Sequence, residues 1–372
     1  MISIASPDLG DAERERVDAV LSDGQLADGP VVREFESEFA AFCGADHAVA
    51  TTNGSTALHA AFEALGVGDG DTVVTTPFSF VASANAIRHA GAEPVFADVD
   101  PDTLTLDPES VADVVARRDD VAAILAVHLY GTPAEMRPLR NIATDHGLPL
   151  VEDAAQAHGA AYRGATVGTL GDVACFSFYP TKNMTAGEGG MVTTSHDGVA
   201  ERVRRFCDHG RTSGYEHATV GHNFRMTSLC AAIGSAQLEK LPAFNEARRE
   251  NAAALTDRLA ATGVETPVEP DHVRSVYHQY TVRADDREAL RDHLADCGVD
   301  TGVYYPIPIH KQPAYADVQA SLPVAERAAD RVLSLPVHPG LSSADLDVIA
   351  DAVASFEPAR PDAATERTVI DS

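Results

Sequence analysis

Seven short apolar or β-branched runs constrain the fold more than any other feature of this chain. They lie at residues 47–52, 72–76, 94–98, 122–129, 148–152, 172–178 and 190–194. Helical patterns separate most of them, for instance at 55–65 and 79–90. A strand reaches a parallel neighbour only by a crossover, so this alternation predicts an α/β domain around a mainly parallel, seven-stranded sheet.

Ligands of such sheets lie at the carboxyl ends of the strands. Four groups follow strands here. Asn53-Gly54-Ser55-Thr56 opens a helix after the first run, and the free N–H groups of a helix start hold anions. Ser and Thr also cap helices for structural reasons alone. Phe80 follows the second run, as a ring that either stacks on a planar ligand or packs into the core. Asp153 follows the run at 148–152, with Gln156 close behind. A carboxylate ending a buried strand requires a partner to offset its desolvation. Ser177 and Lys182 stand at the end of the run at 172–178. Pro180 stops that strand, and Gly187, Gly189 and Gly190 close the segment.

Lys182 is conspicuous because the only other lysines are Lys240 and Lys311. Arginine stays charged, whereas a lysine can lose its proton and add to a carbonyl. An anion cup, an aromatic ring, a carboxylate and a nucleophilic amine together describe one ligand, pyridoxal phosphate. Its phosphate suits the helix start, its ring nitrogen suits Asp153, and its aldehyde suits Lys182.

Composition narrows the setting. The 372 residues suffice for two or three domains of roughly 100–200 residues each. A net charge of −28 opposes binding to nucleic acid or an anionic membrane. The acid is spread along the chain, which, with so few lysines, reads as adaptation to high salt. Cys43, Cys175, Cys207, Cys230 and Cys297 have no CxxC spacing and read as buried free thiols of a reducing compartment. No apolar run reaches the roughly 18–20 residues of a membrane span, and the first residues carry no secretory pattern. A cytoplasmic protein without a metal site is expected. No GxGxxG follows the first strand, which excludes the dinucleotide-binding reading.

The remaining organisation reads as follows. Helices are expected at 11–22 and 31–43, the second with an apolar stripe of Val32, Phe35, Phe39 and Phe42. A Gly/His-rich loop spans 208–226. An alanine-rich helix follows at 227–240, too apolar for a free surface, with Pro242 as its end. Residues 1–243 then form a large cofactor-binding domain. Residues 244–357 form a smaller C-terminal α+β domain, entered through a charged helix at 244–261. Strands are expected near 276–283 and 299–304, and a helix near 286–297. Residues 358–372 read as a disordered tail.

In these stretches the chain resembles the DegT/DnrJ/EryC1/StrS family of pyridoxal-phosphate-dependent sugar aminotransferases, of aspartate aminotransferase fold type I. The likeness covers about residues 5–350. It is carried most specifically by Val151-Glu-Asp-Ala-Ala-Gln-Ala-His-Gly159 and Phe176-Ser-Phe-Tyr-Pro-Thr-Lys-Asn183. Asn53-Gly-Ser-Thr-Ala-Leu-His59, Val127-His-Leu-Tyr-Gly131, Gly221-His-Asn-Phe-Arg-Met226 and Tyr305-Pro-Ile-Pro-Ile-His310 add to it. The resemblance implies Lys182 as the lysine that carries the cofactor and moves protons. It implies Asp153 at the pyridine nitrogen, Gln156 at the ring hydroxyl and Phe80 on the ring face. Gly54, Ser55, Thr56 and Ser177 would hold the phosphate, and Asn223 would reach the phosphate of a partner subunit, making a homodimer with composite sites. Tyr305 and His310 would contact substrate, a nucleotide-linked keto-sugar aminated from glutamate. The family's dehydratase branch has histidine at the lysine position, so Lys182 points to transamination. Departures occur at Phe206-Cys207-Asp208 and Cys230, away from cofactor positions. Another fold type I enzyme, or a non-catalytic regulator of the same family, are the competing readings.

Overall fold

A computed structural model describes residues 1–357; the tail read at 358–372 lies outside them. In chain order the strands are β1 (His47–Thr51), β2 (Thr72–Thr75), β3 (Glu93–Phe96), β4 (Val121–Val127) and β5 (Leu150–Asp153). There follow β6 (Ala161–Tyr162), β7 (Ala165–Thr166), β8 (Val173–Ser177), β9 (Gly190–Thr194), β10 (Arg211–Ser213) and β11 (Glu216–His217). The last are β12 (Val273–Arg274), β13 (Tyr280–Arg283) and β14 (Val332–Leu335). The helices are α1 (Asp11–Asp23), α2 (Pro30–Cys43), α3 (Gly54–Leu65), α4 (Ala82–His89), α5 (Pro108–Val115) and α6 (Met136–His146). They continue with α7 (Asp197–Cys207), α8 (Ser228–Leu259), α9 (Arg287–Asp296), α10 (Pro323–Arg331) and α11 (Ser343–Ala354).

All seven expected runs enter one sheet, in the order β1-β9-β8-β5-β4-β2-β3. β3, β2, β4, β5 and β8 pair in parallel. β9 is antiparallel to both β8 and β1. The link from Ser177 to Gly190 contains no helix, so no crossover is available and the chain turns straight back. That link carries Lys182. β1, antiparallel to β9, runs in the same direction as β8, so the carboxyl ends of β1, β2, β4, β5 and β8 share one edge.

Apolar side chains fill both faces of the sheet. Phe62, Leu125, Val151 and Val203 lie on the side of α3 and α7. Phe35, Phe39, Phe176 and Phe178 pack together on the side of α2 and α8.

Three expectations are corrected. Pro242 does not end a helix: α8 runs unbroken through it for 32 residues. Proline removes one backbone bond, but Leu238, Leu241, Asn245 and Arg248 on either side are buried, and their packing outweighs that loss. The start of α8, read as too apolar for a free surface, is indeed buried, and α2 of the same chain packs against it. At Gly234 a Cβ would sit 2.6 Å from the Phe35 ring of α2. No strand spans 299–304, where only the single bridges Val299–Ile2 and Gly302–Ser334 occur; β13 pairs instead with β14, which was not foreseen. Finally, all five cysteines are free, but only Cys43, Cys175 and Cys207 are buried, and Cys297 is exposed.

Beyond the sheet, Leu255 and Leu259 of α8 join Tyr280, Val282, Leu290, Leu333 and Ile349 in a separate buried cluster.

Candidate active site

A cavity of about 920 Å³ opens at the carboxyl edge of the sheet. Gly54, Ser55, Thr56, Phe80, Asp153, Gln156, Ser177, Lys182 and Tyr305 all line it. The structure does not bring His310 there. That ring is buried against Phe96 with Nε2 3.1 Å from Glu326. Asn223 is exposed and is also absent from the cavity of its own chain.

The anion cup forms where α3 begins. Asn53 caps that helix through its side chain, which accepts the Thr56 N–H at 2.9 Å. The Thr56 hydroxyl is spent in the same cap, on the Asn53 carbonyl at 2.8 Å. Thr56 is therefore structural at both groups, whereas the Gly54 and Ser55 N–H groups stand in the first turn of α3, where no preceding helical turn supplies an acceptor. Gly54 is required by proximity: a Cβ there would lie 2.7 Å from Ser177 Cβ. That close approach brings the helix start and the Ser177 hydroxyl into one cradle.

Asp153 ends β5 and is buried. Its Oδ2 accepts the Ser83 hydroxyl at 2.7 Å and its Oδ1 the Ala155 N–H at 3.2 Å. Ser83, on the first turn of α4, fixes the carboxylate and was not foreseen. No residue pattern singles out one serine of a helix as the partner of an aspartate seventy positions later. Among the described residues no cation pairs with Asp153 within ion-pair distance. A protonated ring nitrogen would be such a partner.

The polarity of Gln156 follows from its contacts. Its Oε1 accepts the Tyr130 N–H at 2.7 Å, so the amide nitrogen faces the other way and donates to the Tyr305 hydroxyl at 3.2 Å. One N–H of Gln156 remains for an acceptor such as a ring phenolate. Tyr305 accepts from Gln156, which leaves its own proton to donate. Burial and the charge of Asp153 raise its pKa, so the hydroxyl stays protonated. Phe80 is 57% exposed, its ring 6.2 Å from that of Tyr305, as a free face at the cavity mouth.

Lys182 is half-buried. Burial lowers its pKa to about 8, against the opposing pull of Asp153. Two neighbouring imidazoles, His158 and His278, are held neutral by burial and by the lysine's charge. The donors and acceptors thus fit pyridoxal phosphate: N–H groups and a hydroxyl for the phosphate, a carboxylate for the ring nitrogen, an amide N–H for the phenolate, and an amine of lowered basicity for the aldehyde.

Among the described residues no helix is long and apolar enough to cross a membrane, and no group of three or more side chains suits a metal.

Comparison with known proteins agrees with this geometry. The sequence profile of the DegT/DnrJ/EryC1/StrS aminotransferase family matches residues 7–354. A UDP-2-acetamido-2-deoxy-3-oxo-D-glucuronate aminotransferase of Pseudomonas aeruginosa is 42% identical, over 91% of this chain and 96% of its own. A protein of Geobacillus stearothermophilus named a pleiotropic regulatory protein is 43% identical, over 91% and 93%. The crystal structure of S. venezuelae DesV in complex with a ketimine intermediate superposes with a TM-score of 0.89 at 42% identity, covering 92% of this chain and 93% of that one. The chain belongs to the DegT/DnrJ/EryC1/StrS aminotransferase family, and its cofactor is pyridoxal 5′-phosphate.

Proposed function

We propose that this aminotransferase moves an amino group from L-glutamate to the keto carbonyl of a nucleotide-activated sugar, supplying amino sugars for polysaccharide or glycan synthesis. The convergence of Lys182, Asp153, Gln156, Phe80 and the start of α3 on one cavity carries this reading. When bound, the cofactor supplies the electron sink and carries the amino group between substrates. Asp153 keeps the ring nitrogen protonated, Gln156 holds the phenolate, Phe80 covers the ring, and Gly54, Ser55 and Ser177 hold the phosphate. Lys182 moves the proton from the donor's α-carbon. Tyr305 presents a hydroxyl proton to the substrate. The cavity lies at the upper end of the roughly 300–1,000 Å³ common for ligand sites, which suits a large substrate beside the cofactor. The regulatory name of one relative states no chemistry, and a regulator could dispense with Lys182, which this chain has kept. Incubating the enzyme with glutamate and a panel of nucleotide-linked keto-sugars, with mass detection of amino sugars, tests the proposal. No product from any sugar, while glutamate alone converts the cofactor, would sink the sugar assignment.

The enzyme works as a C₂ homodimer with composite sites, in our reading. Asn223 is exposed, and Phe80, Tyr179 and Val220 are also exposed apolar residues near it in sequence or at the cavity. Asn223 then serves the partner's phosphate. Lys182→Ala and Asn223→Ala chains, each inactive alone, should regain about a quarter of wild-type activity on co-refolding, because random pairing gives half heterodimers with one intact site each. No recovery from two properly folded inactive variants would rule out shared sites.

From the net charge of −28 we further infer a cytoplasmic protein of a salt-rich interior, where counterions screen self-repulsion. Its melting temperature is expected to rise as KCl increases. A flat or falling profile would remove the salt-adapted reading.

A further inference from the structure

His278 lies in the wall of the cavity that holds Lys182, yet the roles assigned above leave it without a task. It is only 6% exposed, and its Nδ1 lies 3.2 Å from Asn183 Oδ1. Two backbone carbonyls fix the polarity of that contact. Asn183 Nδ2 donates to the Val276 carbonyl at 3.0 Å and to Asn245 Oδ1 at 2.9 Å. Asn245 Nδ2 donates in turn to the His158 carbonyl at 2.8 Å. A carbonyl can only accept, so neither amide can be flipped, and Asn183 presents oxygen to the imidazole. The proton of His278 must therefore sit on Nδ1.

Burial, then the positive charges of Lys182 and Arg248 and the neighbouring His158, keep this ring neutral. A neutral imidazole protonated at Nδ1 has a bare lone pair at Nε2. The Nδ1 edge of the ring is turned to Asn183, the residue lines the same cavity as Lys182, and Nε2 makes no hydrogen bond among the described residues. The Lys182 amine also has no hydrogen-bond partner among them.

We propose that His278 is a positioning residue for Lys182: when the lysine is free of the cofactor, one Nζ–H donates to His278 Nε2. The lysine side chain is long and flexible, and a free amine would wander. A fixed acceptor on one N–H aims the amine's lone pair at the carbon whose proton it must take. The acceptor is rigid because its own Nδ1–H is tied through Asn183 and Asn245 to the backbone. The proposal rests on Lys182 being the cofactor lysine.

The test uses His278→Phe, which keeps a ring but removes the acceptor, and His278→Gln, which returns an acceptor oxygen. The half-reaction with excess glutamate is followed by the cofactor's visible absorbance. His278→Phe should slow the maximal rate tenfold to about 10²-fold, the scale of a misplaced catalytic group. Half-saturating glutamate should shift by less than about twofold, because ground-state binding is untouched. His278→Gln should recover most of the rate. In a Lys182→Ala background rescued by added methylamine, His278→Phe should cost nothing further. A persistent cost in that background would place His278 on the substrate instead, and overturn the proposal. So would an unchanged rate in folded His278→Phe, or a ¹⁵N spectrum of the cofactor-free wild-type enzyme showing the proton on Nε2. Borohydride reduction and peptide mapping of each His278 variant keep the two readings apart: a label away from Lys182 removes the assignment of the lysine, whereas a label on Lys182 leaves the rate data to judge His278.

Discussion

Replacing Lys182 with alanine will lower transamination by at least about 10⁴-fold, the upper end of what a positioned proton carrier contributes. The cavity offers no second amine, because Lys240 pairs with Glu13 at 2.7 Å and Lys311 lies 3.2 Å from Glu326. Lys182→Arg should be equally inactive yet still bind cofactor without a covalent bond, since Asp153, Gln156 and the α3 cradle survive. Borohydride reduction of the wild-type enzyme should leave the pyridoxyl group on the peptide that contains Lys182. A label on Lys240 or Lys311 would sink the assignment. The pH dependence follows from the environment of the amine. Burial penalises the ammonium, so Lys182 is charged and unreactive below about 8 and neutral above it. The rate at which added cofactor couples to the cofactor-free enzyme should rise through about pH 8 and then level off. Continued rise toward the ordinary lysine value of 10.5 would mean that the amine is not desolvated.

Asp153→Asn is expected to reduce the maximal rate by about 10²–10³-fold, the range for removing one preorganised electrostatic partner of the reacting group. Its fold should be intact. The amide oxygen can still accept from Ser83 or from the Ala155 N–H, so the buried position keeps a hydrogen bond. What is lost is the negative charge that would hold a proton on the ring nitrogen. Far-ultraviolet circular dichroism and the half-reaction rate with glutamate separate the two effects. Near-normal turnover would show that the ring nitrogen has no need of Asp153.

The legible parts of this molecule share a physical cause. The strands are read correctly because short β-branched runs between breakers have few alternatives. Asp153, Ser177 and Lys182 are legible because each ends or follows such a run. Context defeats local rules elsewhere. Pro242 is a helix breaker in isolation, but Leu241 and Asn245 are buried beside it, and no single-residue rule contains that packing. The sequence shows that the start of α8 must be buried but not by what, and the cover turns out to be α2 of the same chain. His310 follows Tyr305 in the same Pro-rich loop, but the loop turns between them, sending one ring to the cavity and the other to Glu326. Ser83 and His278 escape because their roles exist only in three dimensions: Asp153 lies 70 positions from one and Asn183 lies 95 from the other.

The unbroken course of α8 has a mechanical consequence. Its 32 residues make a rod about 48 Å long. Near one end Gln237 accepts the Thr185 N–H at 3.4 Å, and midway Asn245 grips Asn183, so the rod clasps the segment that carries Lys182 from behind. Toward the other end Leu255 and Leu259 are sunk in the C-terminal cluster. A rod anchored at both places has no free swivel. One helix therefore ties the segment that carries Lys182 to the C-terminal cluster, so neither can shift against α8 without giving up the contacts of Asn245 and Gln237 or the packing of Leu255 and Leu259.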